Sequence, residues 1–363
     1  MSNTHIADAP VVLITGTTGF LGASLLGRLA DRGDLQLVAL ARAKQGLTPP
    51  QRVLHSLNRF RTEPLIRLPE SVRVVVGDLE HLDLLRDSRD VTHVVHCAAN
   101  TSFRSKNGVW RTNYEGTKAL LALCEAMPRL QRVLYVGTAM ACGERPPGIV
   151  QEDEELAPDT PHIVEYTRSK AATERELIST STLPLITLRP SIVVGHSTLG
   201  VAPSASIWWY FRAVAALRFH WWTPDTRIDI VPVDWVTEAL ELLLLKRHLR
   251  WSRYHLSAGV THSVDWGSLH RAMAGNSAPT HSQRPELDSV RAGACAIFPG
   301  IDETRLMEAL RAYYRFAALG IVFDNQRVRA EGLRAPPTFT SLIPRHLESG
   351  RERSIEEQMR DDD

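Results

Sequence analysis

The chain has 363 residues, of which 44% are apolar and 23% are charged, and its formal net charge is +1. This composition is typical of an ordinary soluble globular protein, and the length suits one large α/β domain with an appendage or two domains. The nearly balanced charge gives no reason to expect nucleic acid or an anionic membrane as a partner.

The four cysteines, the N-terminal residues and the apolar runs indicate in which cellular compartment the protein works. The cysteines are scattered without metal-ligand spacing, which predicts no metal site and suits a reducing environment. Residues 1–10 are short and polar and show no secretory signal. The longest apolar run, residues 240–245, is far too short to cross a bilayer. We therefore expect a cytoplasmic protein with no transmembrane segment.

The first thirty residues carry a glycine-rich turn. Residues 11–14 form a continuous apolar run, which predicts a strand buried on both faces of a parallel sheet. Glycines at 16, 19 and 22 follow, and then an amphipathic helix to about residue 32. Such glycines let the turn be tight, let backbone N–H groups approach a pyrophosphate and let the helix pack on the strand. The predicted dinucleotide contacts here are Gly16, Thr18, Gly19, Phe20, Leu21 and Gly22.

The second predicted strand, residues 35–40, ends without an acidic residue. In NAD enzymes an acid near this point accepts a hydrogen bond from the ribose 2′-hydroxyl. Here Arg42 follows instead, and a guanidinium pairs well with a 2′-phosphate, which favours NADP. The alternative is that Arg42 and Lys44 are solvated loop cations.

The next two predicted strands, residues 72–76 and 91–96, also end in candidate cofactor contacts. Asp78 follows the first of them, beside Leu79, and could accept a hydrogen bond from the adenine amino group. Ala98 and Ala99 follow the second, and small residues there would let the backbone lie along the cofactor. His96 is interpreted as a strand residue whose ring is satisfied within the protein.

A helix over residues 113–127 is predicted next, with Asn113 in its first turns. The fifth predicted strand, residues 133–136, leads to Thr138, and the sixth, residues 183–188, leads to Arg189 and Pro190. Ligands bind at the carboxyl edge of open α/β sheets. We therefore expect Thr138 at a ligand-binding edge.

Tyr166 and Lys170 are four residues apart in a segment of good helix formers, so both side chains should share one face. A cation beside a phenol lowers the tyrosine pKa from its ordinary value of about 10. A tyrosine of this kind exchanges a proton with a carbonyl or alcohol oxygen. The alternative is a common pairing on a solvated helix face.

Beyond residue 195 the alternation of strands and helices is interrupted by an aromatic segment, residues 203–222. These aromatic side chains form either the core of a second subdomain or the wall of an apolar substrate pocket, and the two are compatible. Asp234 is expected to cap a helix that ends near residue 246. The aromatic residues are Trp208, Trp209, Tyr210, Phe211, Phe219, Trp221 and Trp222.

Together these motifs resemble an extended short-chain dehydrogenase/reductase. More narrowly, the chain resembles the male-sterility branch, which holds fatty acyl reductases and the reductase domains that release carrier-protein thioesters. Gly137 departs from the serine usually found before the threonine. The motifs that carry the resemblance are the glycine triplet at 16–22, Asp78, residues 96–103, Asn113 with Gly116 and Thr117, Thr138, Tyr166 with Lys170, residues 188–195, 229–236 and 322–325.

The resemblance implies a Rossmann-type doubly wound parallel sheet with a smaller, mainly helical C-terminal substrate subdomain. The expected division is an NADP-binding domain at 1–195, completed by about 229–262, and a substrate subdomain at 196–228 and 263–363. NADPH is the implied cofactor, held in part by Asn113, Tyr166, Lys170 and Pro190. Thr138, Tyr166 and Lys170 are the implied catalytic residues.

The implied reaction is reduction of an acyl thioester, bound to CoA or to a carrier protein supplied in trans, to an aldehyde or with a second hydride to an alcohol. A ketone or aldehyde reductase and a sugar-nucleotide epimerase would use the same three residues and stay open as alternatives. A catalytically silent dinucleotide-binding protein is a third alternative, which would not need Thr138, Tyr166 and Lys170 together.

Overall fold

The computed structural model describes residues 9–44, 46–82, 89–103, 106–204, 207–217, 223–274, 303–351, 353–354 and 357. The strands are β1 Val11–Thr15, β2 Gln36–Ala41, β3 Val72–Val76, β4 His93–His96, β5 Arg132–Val136, β6 Gly148–Val150, β7 Leu185–Pro190, β8 Ile192–Val193, β9 Arg227–Ile228, β10 Ile230–Val231, β11 Arg253–Leu256, β12 Val264–Asp265 and β13 Ile321–Phe323.

The helices alternate with the strands in the first half of the chain and dominate the second half. The α-helices are α1 Phe20–Ala30, α2 Pro49–Asn58, α3 Lys106–Trp110, α4 Gly116–Glu125, α5 Glu165–Thr173, α6 Trp208–Leu217, α7 Val233–Leu245, α8 Gly259–His262, α9 Trp266–Ala274, α10 Glu303–Ala317, α11 Gln326–Ala330 and α12 Phe339–Ser349. π-Helical turns at Arg111–Glu115 and Glu174–Ile178 continue α3 and α5, and Ala139–Cys142 is a 3₁₀ turn.

Seven strands form one parallel sheet in the order β11-β7-β5-β4-β1-β2-β3. The order reverses between β1 and β4, so a crevice opens there at the carboxyl edge, where ligands bind in doubly wound folds. Every residue of β1 is buried, as its apolar run predicts. The predicted Rossmann-type fold is confirmed.

Two predicted helix boundaries are wrong. The helix expected to start at Asn113 begins at Lys106, and the indole Nε1 of Trp110, the last residue of α3, donates to Glu165 of α5 at 2.8 Å. Asp234 is not an N-cap: α7 starts at Val233 after Pro232, and the Asp234 carboxylate accepts from the backbone N–H of Ser197 at 2.8 Å instead.

A second hydrophobic core lies outside the sheet. Trp208, Trp209, Tyr210 and Phe211 of α6 are each at most 1% exposed and pack with side chains of α9, α10 and α12. For these four residues the structure selects the core interpretation over the pocket-wall interpretation. Phe219, Trp221 and Trp222 lie outside the described residues. The boundary predicted at residue 195 stays a prediction, although β11, at residues 253–256, does join the main sheet.

Among the residues that the structure describes, no helix combines the length and apolar character needed to cross a membrane.

Candidate active site

The glycine-rich turn between β1 and α1 is shaped for an anion. Gly16 has φ +75°, and a Cβ on it would lie 2.6 Å from the backbone nitrogen of Ala98. A Cβ on Gly22 would lie 2.2 Å from the carbonyl oxygen of Gly16. No side chain caps the start of α1, and its first turn holds no acidic residue. Its N–H groups and positive dipole end therefore suit a pyrophosphate.

A cleft of about 560 Å³ runs from this turn along the carboxyl edge of the sheet. It joins the predicted pyrophosphate and catalytic residues in one space, with further apolar side chains at one end. The predicted site residues that line it are Gly16, Thr18, Gly19, Phe20, Leu21, Gly22, Ala99, Thr138, Tyr166, Lys170 and Pro190.

Two arginines lie beside the end of β2. Arg42 Nη1 is 3.5 Å from Asp78 Oδ2, and its side chain is 60% exposed. Arg52, which we did not predict, donates from Nη2 to the hydroxyl of Thr18 at 3.2 Å and from Nη1 to the carbonyl of Arg42 at 2.5 Å. Burial and the charge of Arg42 lower the pKa of Arg52. Arg52 lies in α2. The sequence marks the start of this helix by a capping box, in which the Thr48 hydroxyl accepts from the backbone N–H of Gln51.

Asp78 and Leu79 lie where β3 ends. The Oδ1 atom of Asp78 accepts from the backbone N–H groups of Glu80 and His81, at 3.0 and 3.1 Å. These bonds fold the turn after β3. Leu79 is 6% exposed and packs where Gly116 leaves room for it. Their predicted contacts with adenine stay predictions.

Asn113 supports the cleft from behind rather than lining it. The side chain has no exposed surface, so the predicted direct contact with cofactor needs correction. Its Oδ1 accepts from the N–H of Asn100 at 2.8 Å, and its Nδ2 donates to the carbonyl of Asn100 and the hydroxyl of Ser169, each at 3.0 Å. Asn113 therefore fixes the loop after β4 against α5.

His96 belongs to a buried hydrogen-bonded chain, as its structural interpretation predicts. The Thr117 hydroxyl donates to the carbonyl of Asn113, so it accepts from Nε2–H of His96 at 2.9 Å. The other ring nitrogen then accepts from Thr15, 2.7 Å away, whose hydroxyl accepts from the N–H of Ala98. Burial lowers the pKa of His96 to about 3, so the ring is neutral and holds Ala98 in place.

Tyr166 and Thr138 meet at the centre of the cleft. Thr138 precedes the 3₁₀ turn after β5 and hydrogen bonds with the Tyr166 hydroxyl. Burial raises the pKa of Tyr166 to about 12, although the bond with Thr138 opposes this rise. The prediction that Lys170 lowers the pKa of Tyr166 below its ordinary value is therefore wrong for the structure, because desolvation of the phenolate raises that pKa.

Lys170 lies one helical turn after Tyr166 in α5 and is only 2% exposed. Its Nζ donates to the carbonyl oxygen of Val136 at 2.8 Å. Burial lowers the pKa of Lys170 to about 8, and the neighbouring Cys97 and Glu174 partly offset that effect. The side chain is therefore largely protonated at neutral pH and can donate toward the cleft that it lines.

A buried ion pair, also not predicted, joins the helix that carries Tyr166 to the sheet. Glu174 follows α5 and Arg189 lies in β7, and each is about 1% exposed. Arg189 donates from Nη2 at 2.6 Å and from Nε at 3.1 Å to the carboxylate. The charge pattern of the sequence offers no signal for this pair, since the two residues are fifteen positions apart in different elements.

The aromatic wall of the cleft is formed by Phe103, Tyr313 and Phe316. The ring centroid of Phe103 is 4.9 Å from that of Tyr313 and 5.5 Å from that of Phe316. The predicted wall at Trp208 and Trp209 is therefore misplaced, and Trp209 packs behind Tyr313 at 5.2 Å between centroids. The apolar end of the cleft is completed by Met140, Ile192, Val193 and Ile207.

The sequence of this chain is similar to a known protein family and to several curated proteins. The family described as "Male sterility protein" matches residues 14–240. Fatty acyl-CoA reductase 2 from Homo sapiens is 26% identical over 318 residues, which cover 71% of this chain and 59% of that protein. A putative dihydroflavonol 4-reductase from Synechocystis sp. is 28% identical over 209 residues, which cover 56% of this chain and 55% of that protein. The chain therefore spans less than two thirds of the length of both relatives.

Two solved structures show the same fold. The terminal R domain from the myxalamid PKS-NRPS biosynthetic pathway superposes with a TM-score of 0.78 at 23% identity, covering 97% of this chain and 93% of that one. The Bordetella bronchiseptica enzyme WbmG in complex with NAD superposes with a TM-score of 0.63 at 19% identity, covering 97% of each chain.

Proposed function

Since the chain belongs to the male-sterility branch of the extended short-chain dehydrogenases/reductases, we propose that it is an NADPH-dependent reductase of acyl thioesters. The substrate is an acyl group on CoA or on a carrier protein, and the first product is an aldehyde. The observation that carries the proposal is the shared cleft: the glycine turn, Thr138, Tyr166, Lys170 and an apolar aromatic wall line one space. A reducing, cytoplasmic setting suits the free thiols of Cys97 and Cys124.

The residues present fit a nicotinamide dinucleotide. The uncapped start of α1 and the bare Gly16 and Gly22 leave room and N–H groups for a pyrophosphate. Arg42 and Arg52 lie together beside Thr18, where a ribose 2′-phosphate would follow, and this supports NADPH over NADH. When bound, the nicotinamide supplies the hydride.

Tyr166 serves as the general acid. With its pKa raised to about 12 the phenol is fully protonated at neutral pH, so it has a proton to give. As hydride adds to the thioester carbon, the carbonyl π pair moves to oxygen, and Tyr166 protonates that oxygen. Thr138 donates a second hydrogen bond to the same oxygen, which stabilises its developing charge.

The resulting hemithioacetal then breaks its carbon–sulfur bond. The hydroxyl proton leaves the oxygen, the thiol departs with a proton, and the aldehyde remains. Lys170, which lines the same cleft and is largely protonated at neutral pH, keeps a positive charge in the site during the transfer. A second hydride addition to the aldehyde would give the alcohol by the same proton transfer.

The apolar end of the cleft suits the acyl group. Phe103, Tyr313 and Phe316 present ring surface, and burial of each methylene against such a wall stabilises binding by about 0.8 kcal/mol. Sugar nucleotides would place hydroxyl groups against these ring faces, which accept hydrogen bonds only weakly. The wall therefore favours a thioester with an apolar acyl group over the epimerase alternative.

A substrate panel tests the proposal. NADPH oxidation is followed by absorbance with acyl-CoAs, acyl-pantetheines, simple ketones and a sugar nucleotide, and products are identified by mass spectrometry. We expect turnover with the thioesters and an aldehyde or alcohol product. Turnover confined to ketones, or epimer formation without net oxidation of NADPH, would replace the proposal by the corresponding alternative, and NADPH binding without any turnover would support the silent binder.

A further inference from the structure

The side chain of Lys170 is almost completely buried, and its three N–H donors need partners. One is the carbonyl oxygen of Val136, 2.8 Å away. The Nζ atom also lies over the ring of Tyr135, 4.8 Å from the ring centroid.

We propose that Tyr135 is a positioning residue for Lys170: the face of its ring holds the ammonium group in the floor of the cleft. An ammonium within about 6 Å of an aromatic centroid is attracted by the ring quadrupole, most strongly where water is excluded. Tyr135 is 1% exposed and Lys170 is 2% exposed, so water is excluded from this pair.

The backbone around Gly137 explains how the ring reaches this place. Tyr135 and Gly137 are two residues apart at the end of β5 and so point to the same side of the sheet. A Cβ on Gly137 would lie 3.3 Å from Cε1 of Tyr135, closer than ordinary contact. A bare residue at 137 therefore leaves the ring free to lie under Lys170.

Other ionisable groups surround the ammonium and must be separated from the effect of the ring. Cys97 and His96 approach from β4, Tyr166 lies on the same helix, and Glu174 lies one turn further on. Glu174 is already bonded to Arg189. A test must therefore change the π face of Tyr135 alone and leave these groups in place.

The test titrates Lys170 directly. The chain contains five lysines, so protein with ¹³C-labelled lysine gives five Cε signals, of which Lys170→Arg identifies the relevant one; the lysines are Lys44, Lys106, Lys118, Lys170 and Lys246. The titration uses the cofactor-free full chain, so it does not depend on substrate or on the proposed activity.

Tyr135→Phe keeps the ring, and Tyr135→Leu removes it. Because the ring favours the charged form of Lys170, its loss should lower the pKa of Lys170 by about one pH unit, whereas Tyr135→Phe should leave that pKa unchanged. The other four lysines serve as internal references. An unchanged Lys170 titration in Tyr135→Leu, or an equal shift in Tyr135→Phe, would overturn the proposal.

If Tyr135→Leu does not fold, phenylalanines with increasing numbers of fluorine atoms at position 135 replace it. Fluorination weakens the quadrupole with little change in shape, so the pKa of Lys170 should fall stepwise with each fluorine. In assays with active enzyme the alkaline limb of kcat/KM should move to lower pH in the same order. A purely structural role for Tyr135 predicts no trend in either measurement.

Discussion

The two ends of the cleft are built in different ways. The proposed cofactor end is made largely of backbone and of two short continuous segments, the turn at residues 16–22 and the first residues of the loop after β4. The proposed acyl end brings Phe103 together with Tyr313 and Phe316, which lie more than 200 positions further along the chain. The first end is therefore readable as a motif, whereas the second exists only after the second core has folded.

Tyr166 lies between the two ends of the cleft, so we expect the rate of hydride transfer to depend most strongly on this residue. Tyr166→Phe should lower kcat by about 10²–10⁴, because general-acid assistance is lost. Binding of NADPH, measured by fluorescence titration, should persist, since the glycine turn is untouched. Turnover close to that of the wild type would remove Tyr166 from the mechanism.

The buried ion pair of Glu174 and Arg189 holds α5, which carries Tyr166 and Lys170, against the sheet. Glu174→Gln should lower the free energy of unfolding by about 3–5 kcal/mol, because it leaves a buried guanidinium unpaired. The matched control is Arg334→Ala, since Arg334 is 79% exposed in its pair with Glu238. That exposed pair should contribute less than about 1 kcal/mol. Similar losses in both variants, measured by urea unfolding, would show that burial of the pair has no special weight.

The cofactor end should discriminate between the two nicotinamide dinucleotides. Arg42→Ala and Arg52→Ala should each raise the KM for NADPH by roughly tenfold or more, because a charge-assisted hydrogen bond contributes about 1.5–3 kcal/mol, while the KM for NADH changes little. Arg28→Ala is the control, because Arg28 pairs with Glu241 on the outer side of α1. Equal effects on NADPH and NADH would make Arg42 and Arg52 simple surface cations.

The acyl end should respond to chain length. In the wild type, kcat/KM should rise by up to about fourfold for each added methylene until the wall is covered. Phe316→Ala should flatten this slope, whereas Trp208→Phe, a change in the second core that does not line the cleft, should leave the slope intact while lowering stability. A flat series in the wild type would contradict an acyl pocket and favour a small-ketone reductase.

The contrast between the two ends of the cleft explains which residues the sequence predicts and which it does not. The fold, the glycine turn and the residues Thr138, Tyr166 and Lys170 follow from local patterns, because a strand, a turn and a helix are adjacent in the sequence. Arg52 was missed because its role depends on how α2 packs beside the turn. Glu152, which reads as part of a solvated acidic loop, is 2% exposed and accepts from the N–H groups of His255 and Arg327.

The aromatic segment, residues 203–222, also shows that the sequence does not reveal which elements pack against each other. Its composition indicates burial of a large apolar surface but does not say against what, and α6 turns this surface toward the second core. The tyrosine pKa was mispredicted for a related reason. Spacing places a cation near the phenol, whereas the desolvation that raises the pKa of Tyr166 to about 12 depends on the whole cleft.

Reduction of a thioester in this cleft is tested most directly by the ratio of thiol released to NADPH oxidised. The full chain is incubated with an acyl-pantetheine and NADPH, the thiol is counted with a chromogenic disulfide, and Tyr166→Phe serves as the blank. We expect one thiol for each NADPH oxidised if the aldehyde is the product, and one thiol for every two NADPH if the alcohol is the product. Oxidation of NADPH with no thiol released, or thiol released equally without NADPH, would contradict thioester reduction.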